Sequence, residues 1–285
     1  KEQQDQVQAD RLPFALYDGE PHVALYEGKF IQIYDHRFSS FEGVPSANRF
    51  GKKPGTHSPT QIQKGDPSYA IVPRYWIPAP VARDRAVKHL GDVDHYCAAR
   101  RVTNVISNAR TVMACVMPTY PANDMVIAFE LETDDRMRYG PKCALFVSLL
   151  NSFAFDYFAR LRVSENLLKN VFHEIPAPSP ADLLLMKWPG DLAAPFVREV
   201  TRRSVELTYT SWSLESFAQD CGWPGPPFRW DEERRFLLRC ELDAAFFHLY
   251  LPAEASGEWR RTERETVDDL ARLKASFPIP RDAVA

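Results

Sequence analysis

Hydrophobic and polar positions follow two different patterns along this chain, one after the other. From 12 to 140, short apolar runs alternate with turn residues. "HVALYEGKFIQIYDHRF" holds two β-prone runs on either side of the turn signal Glu27-Gly28. "SYAIVPRYWIP" is a third run, and its prolines demote it to an edge strand or extended segment. "TVMACVMP" and "DMVIAFELE" predict buried strands, linked through the turn-like Thr119-Tyr120-Pro121-Ala122-Asn123. Residues 43–68 are rich in Gly, Pro, Ser and Lys and predict a long loop.

From 141 to 285 the apolar period lengthens to that of a helix. In "PKCALFVSLLNSFAFDYFARLRV", Leu145, Leu149, Phe153, Tyr157 and Leu161 recur at spacing four, and Pro141 suits a helix start. "APFVREVTRRSVELTYT" and "SLESFAQDCGW" predict shorter helices. "DEERRFLLRCELDAAFFHLY" predicts another, its acidic first turn favouring the positive helix end. Its apolar set is Phe236, Leu237, Cys240, Ala244, Phe247 and Tyr250. "RETVDDLARLKASF" predicts a last helix, and residues 1–11 a polar tail or linker. The expected fold class is α+β: a mixed, β-rich half over 12–140 followed by a mainly helical half over 141–285.

Composition narrows the function classes. With 285 residues and 45% hydrophobic content the chain can bury a sizeable core. A net charge of −3 supplies no overall basic field, so any nucleic-acid partner must be met by local patches. Cys97, Cys115, Cys143, Cys221 and Cys240 are scattered and never form a C-x-x-C pair. That argues against a disulfide framework or a thiolate zinc site and predicts a reducing, cytoplasmic setting. No apolar stretch reaches about 18 residues, so no membrane partner is expected. The start lacks both an apolar signal core and an initiator Met, which predicts a piece of a longer chain.

Several near-motifs dissolve on inspection. Gly225-Pro226-Pro227-Phe228 lies one residue from the Asn/Asp/Ser-Pro-Pro-aromatic tetrapeptide of some DNA methyltransferases, whose first side chain grips a flipped base. Gly225 has no such side chain, and the segment follows an expected helix that Gly222 would cap. Asp66-Pro67-Ser68-Tyr69 reads as a turn. No two of the twelve glycines are separated by a single residue, and "GKKPGT" has its lysine misplaced for a phosphate loop. No cofactor core is expected in this chain. His89, Asp92, Asp94, His95 and Cys97 fit no standard metal spacing and read as solvated helix-end residues. Asp35-His36-Arg37 reads as a strand end with a hydrogen-bonded His, or as a polar cluster facing a ligand or neighbouring domain.

The most suggestive stretch is "ARRVTNVISNART". Arg100, Arg101, Thr103, Asn104, Ser107, Asn108, Arg110 and Thr111 stand there without an acidic residue. Arg can grip phosphate or a guanine edge, Asn an adenine edge, and Thr or Ser a phosphate. The bland reading is a solvated polar turn. "ARLRVSENLLKN", with Arg160, Arg162, Asn166, Lys169 and Asn170, is a second candidate. "RFGKKPGTHS", with Arg49, Lys52, Lys53 and His57, is a third and would suit a backbone clamp.

Four segments carry a family resemblance: "LYEGKFIQIYDHRFSSFE", "RRVTNVISNARTVMACVMP", "LFVSLLNSFAFDYFARLRVSENLLKNVFHEIPAP" and "ELTYTSWSLESFAQDCGWPGPPFRWDEERRFLLRCELDAAFFHLY". In that order the chain resembles the C-terminal, TaqI-like target-recognition region of large bacterial adenine-specific DNA methyltransferases of the restriction-modification and phage-defence type. The methylase of the DISARM system is among them. The resemblance implies a reader of double-stranded DNA. Its S-adenosyl-methionine and catalytic tetrapeptide would belong to an N-terminal methyltransferase domain, which would be a partner together with defence-system subunits. Ser164-Glu165-Asn166 departs from the Gly-Gly-Thr-like step common in that family. A helical protein-interaction module without direct DNA readout is the competing reading.

Overall fold

The first strands owe their pairing to one turn. β1 (Phe14–Tyr17) and β2 (Glu20–Ala24) are antiparallel. Between them Asp18 and Gly19 both take positive φ, 51° and 81°, the two-residue hairpin turn that an Asp-Gly pair favours. β3 (Trp76–Pro78) adds to β2 as the expected proline-bearing edge strand. The second run of "HVALYEGKFIQIYDHRF" forms no strand. Gly28–Phe30 is a single helical turn, and the segment beyond it makes only isolated bridges.

A computed structural model describes residues 14–52, 54–90, 96–102, 110–132, 137–163, 166–189 and 191–250. The polar tail and the last helix expected from the sequence lie outside these residues. The stretch 43–68 is mostly loop, interrupted by two short helices, α1 (Ser46–Arg49) and α2 (Gln61–Gly65). α3 (Ala79–Leu90) follows β3.

The central sheet has the order β5-β4-β6, from β4 (Tyr96–Arg101), β5 (Ala114–Pro118) and β6 (Val126–Phe129), all antiparallel. Period-two alternation splits its side chains between two cores. Tyr96, Ala98, Ala114 and Val116 join a large cluster with the helices. Cys97, Ala99, Cys115 and Met117 join a second cluster with Tyr26, Phe30, Ile31, Phe41 and Ile71. Cover on both faces explains why β5 reads as an unbroken apolar run rather than an alternating one.

The helical part comprises α4 (Tyr139–Asn151), α5 (Phe153–Arg160), α6 (Lys169–His173), α7 (Pro180–Leu185), α8 (Phe196–Thr208), α9 (Glu215–Asp220) and α10 (Glu232–Tyr250). A short antiparallel pair, β7 (Lys187–Trp188) and β8 (Asp191–Pro195), precedes α8. Asp220 anchors the start of α4: its carboxylate accepts from the Gly140 N–H and from Tyr96 Oη (2.7 Å), and pairs with Arg138 (2.6 Å). A Cβ on Gly140 would sit 2.7 Å from that carboxylate, so the glycine permits the approach.

Besides that second run, three expectations are corrected. Cys97 is no solvated helix-end residue but is buried within β4. The stripe from Leu145 to Leu161 is not one helix. Ser152 leaves the helix (φ −67°, ψ 148°), and its Oγ accepts from Phe155 N (3.2 Å) to cap α5. The restart turns Phe153, Tyr157 and Leu161 outward, 47%, 56% and 65% exposed. On α10 the buried face is Arg235, Leu238, Leu242, Ala244, Ala245 and Phe246, whereas Phe236, Leu237 and Cys240 are exposed. Arg235 can turn inward because backbone oxygens of Leu207 and Tyr34 accept from it and Trp230 stacks on it, 3.7 Å from its guanidinium carbon.

Candidate nucleic-acid interface

The end of β4 is clamped from three sides. Arg101 N donates to Met113 O (3.0 Å), Val102 N to Met125 O (3.0 Å), and Leu167 N to Val102 O (3.1 Å). The last of these lays the "ARLRVSENLLKN" segment beside the strand end. Gly28 approaches from the other side: a Cβ there would sit 2.8 Å from Met125 O and 3.4 Å from Arg101 Cγ. Its neighbour Lys29 donates from Nζ to Pro54 O (3.1 Å), inside "RFGKKPGTHS". Two basic segments remote in sequence therefore meet at one strand end, and a third is tied in through Lys29.

The charges around Lys29 act on one another. Burial pushes the Lys29 ammonium below its ordinary range. Glu27 pulls it back up, and Arg74 and Arg101 push it down again. Arg74 pairs with the buried Glu27 (3.1 Å) and stacks on the exposed Tyr75, 4.7 Å from its ring centre. Arg101, half-buried, is likewise lowered by burial.

Arg100 and Arg101 take opposite faces, as successive strand residues must. Arg100 is buried and lies 4.7 Å over the Phe172 ring, with Nη1 donating to Arg101 O (3.3 Å). Burial lowers its guanidinium to about 10. Thr103, Asn104, Ser107 and Asn108 lie outside the described residues, as does Lys53. Arg110 pairs with Asp243 and sits over Phe153 (4.6 Å). Thr111 is fully buried, and its N–H donates to Asp156 Oδ1 (2.6 Å), as does that of Val112 (2.7 Å). Arg160 holds the other oxygen of Asp156 (2.9 Å). Asn166, Lys169 and Asn170 are exposed beside the strand end. Arg49 folds back on Phe41 O (2.9 Å) and Val44 O (3.4 Å), while Lys52 is exposed. The surface around the strand end thus carries Lys29, Arg74, Arg101, Asn166, Lys169 and Asn170, and Lys52 stands on the loop that Pro54 ties to Lys29. Arg100, Arg110 and Arg160 brace the scaffold.

Sequence reasoning missed Lys29, Arg74 and the two residues that hold the edge of β5. Asn151 accepts from Ala114 N and donates to Ala114 O, both at 2.9 Å, standing in for a neighbouring strand. Asp156 accepts from the Thr111 and Val112 N–H groups that lead into β5. The Asp156–Arg160 spacing of four was the available signal.

Asp35-His36-Arg37 belongs to the interior. Arg37 donates to the carbonyls of Asp66 (3.1 Å), Tyr69 (2.9 Å) and Thr210 (2.8 Å). Asp35 pairs with Lys64 (2.5 Å). His36 Nε2 lies 3.1 Å from Ser213 Oγ, and burial together with Arg37 pushes the imidazole down to about 3, so it is neutral. The expected hydrogen-bonded His is present. The other near-motifs are loops: Gly222 takes φ +88° after α9, and Asp66 Oδ1 accepts from Ser68 N (2.8 Å). Among the described residues no cluster of metal-ligating side chains occurs. Every pair of named strands among them is antiparallel.

No helix among the described residues is long and apolar enough to cross a membrane. No protein-family model, curated protein or solved structure matches the chain.

Proposed function

We propose that this chain is a DNA-binding target-recognition module of an adenine-specific DNA methyltransferase of the restriction-modification or phage-defence type. Methyl transfer, with its S-adenosyl-methionine, belongs in this reading to a separate catalytic domain. One observation carries the proposal: Lys29, Arg101 and the 166–170 segment converge on the clamped end of β4, with the loop of Lys52 tied in through Pro54. Cations on such a surface would neutralise phosphates, and the stretch between Val102 and Arg110 would supply base contacts.

The test is a binding titration with duplex DNA across a salt series. Removing two phosphate contacts should make the slope of log K against log salt shallower by about 1.8. Arg101→Ala combined with Lys169→Ala is the appropriate variant, since both side chains reach solvent. Arg100→Ala is not, because it strips a buried side chain from Phe172. A wild-type slope in the double variant would sink the assignment.

A further inference from the structure

The loop "CGWPGPPF" stands apart from the residues assigned to DNA. It forms one wall of a groove of about 550 Å3 whose other walls are the start of α4 and one face of α8. Pro141, Pro195, Val197, Val205, Trp223 and Phe228 make the groove largely apolar. Trp223 and Phe228 pack ring to ring at 4.5 Å, and Trp223 Nε1 is already used on Pro226 O (3.0 Å). The aromatic wall is therefore pre-formed and offers faces rather than donors. Thr201, buried in the lining, has a hydroxyl with no hydrogen-bond partner.

Charge selects the occupant. Arg198 lies on the rim with its side chain 67% exposed. Its carboxylate partner among the described residues, Glu199, also pairs with Arg202 (3.4 Å) and the buried Arg203 (3.0 Å). Arg198 directs Nε (3.1 Å) and Nη2 (3.0 Å) at a single Glu199 oxygen. A guanidinium has five N–H donors, so donors remain for an incoming anion. The rim carboxylate Glu206 is taken by Arg234 (2.7 Å). A volume of this size holds a few side chains, in the range of ordinary ligand sites.

We propose that this groove docks a short peptide segment of a partner protein, with apolar side chains on the Trp223–Phe228 wall and an Asp or Glu on Arg198. The claim is independent of DNA binding.

The test uses the whole chain as bait for a phage-displayed random hexapeptide library. Enriched sequences should combine apolar residues with Asp or Glu. Synthetic versions should bind at least ~10-fold more weakly to Arg198→Glu, the scale of loss expected when one charge-assisted contact is reversed. Lys-for-Glu versions of the peptides should recover binding to that variant. Trp223→Ala should weaken both pairings. Arg198→Glu is a surface change, and its circular dichroism should match wild type. No enrichment, or binding indifferent to both substitutions, overturns the proposal. So does concentration-dependent self-association abolished by Trp223→Ala, because the occupant would then be a second copy of this chain.

Discussion

At the residue scale, the buried charges decide how the protein responds to acid. Burial pushes the Asp35 carboxyl up, but Lys64, Arg235 and the Arg37 N–H outweigh it and hold it below the ordinary range. His36 is held neutral down to about pH 3. Both groups bind fewer protons folded than unfolded. An unfolded His takes its proton below about 6.5. The stability that His36 supports is therefore complete above pH 6.5 and is lost as pH falls from there towards 3, at up to ~1.4 kcal/mol per pH unit. Asp35 adds to the loss below about pH 4. Urea unfolding at pH 7, 6, 5 and 4 should show this decline, and His36→Gln should be flatter between pH 6.5 and 4. An equally steep decline in the variant would show that other groups govern it. Asp35→Asn leaves Lys64 and Arg37 without their carboxylate, and a loss of ~3–5 kcal/mol is expected at neutral pH.

At the element scale, Ser152 sets the direction of α5. Replacing it with Ala removes the acceptor for Phe155 N and also the bond from Ser152 Oγ to Leu149 O (2.7 Å). The expected cost is ~1 kcal/mol, read as a lower urea midpoint at unchanged m. No change would mean that Asn151 and Asp156, which grip the β5 edge, fix the break without the cap. The break also explains what the sequence concealed. A spacing of four from Leu145 to Leu161 continues across Ser152, but periodicity carries no information about a change of axis. β5 was legible because two cores cover it, and Gly222 because only a helix end makes such use of a glycine there. The Asp18-Gly19 hairpin turn went unread, although an Asp-Gly pair is its usual signal. The inward face of α10 was not legible. Arg235 counts as polar in any pattern, and its acceptors at Leu207 and Tyr34 lie 28 and 201 residues away. The same holds for the interface. Composition pointed to the basic segments, but which cations face out depended on strand alternation and on distant carboxylates such as Asp243.

At the scale of the whole molecule, the β-rich and helical stretches are not separate bodies. One hydrophobic cluster takes Tyr34, Tyr96, Ala98, Val112, Ala114 and Val116 from the first stretch and Leu150, Phe196, Leu207, Phe217 and Phe246 from the second. The buried ions cross the same boundary, since Arg37 bonds Thr210, Arg235 bonds Tyr34, and Trp230 stacks between Lys64 and Arg235. Cutting before Tyr139 would strip β4 and β5 of one covered face. It would also leave Arg37, Lys64 and Arg235 to find new partners or water. A fragment of 139–285 should therefore show no cooperative urea transition and should bind a hydrophobic dye, while 1–285 unfolds in one step. A cooperative transition in the fragment would mean that the helical stretch holds its own core. Under the proposed DNA-reading role, this coupling sets what distant changes do to binding. The clamped end of β4 rests on both cores, so the cations at Lys29, Arg101 and Lys169 keep their spacing only while the whole chain is folded. Destabilising changes far from the surface, Asp35→Asn among them, should then lower DNA affinity only where they unfold the protein, and leave the salt slope of the folded fraction unchanged.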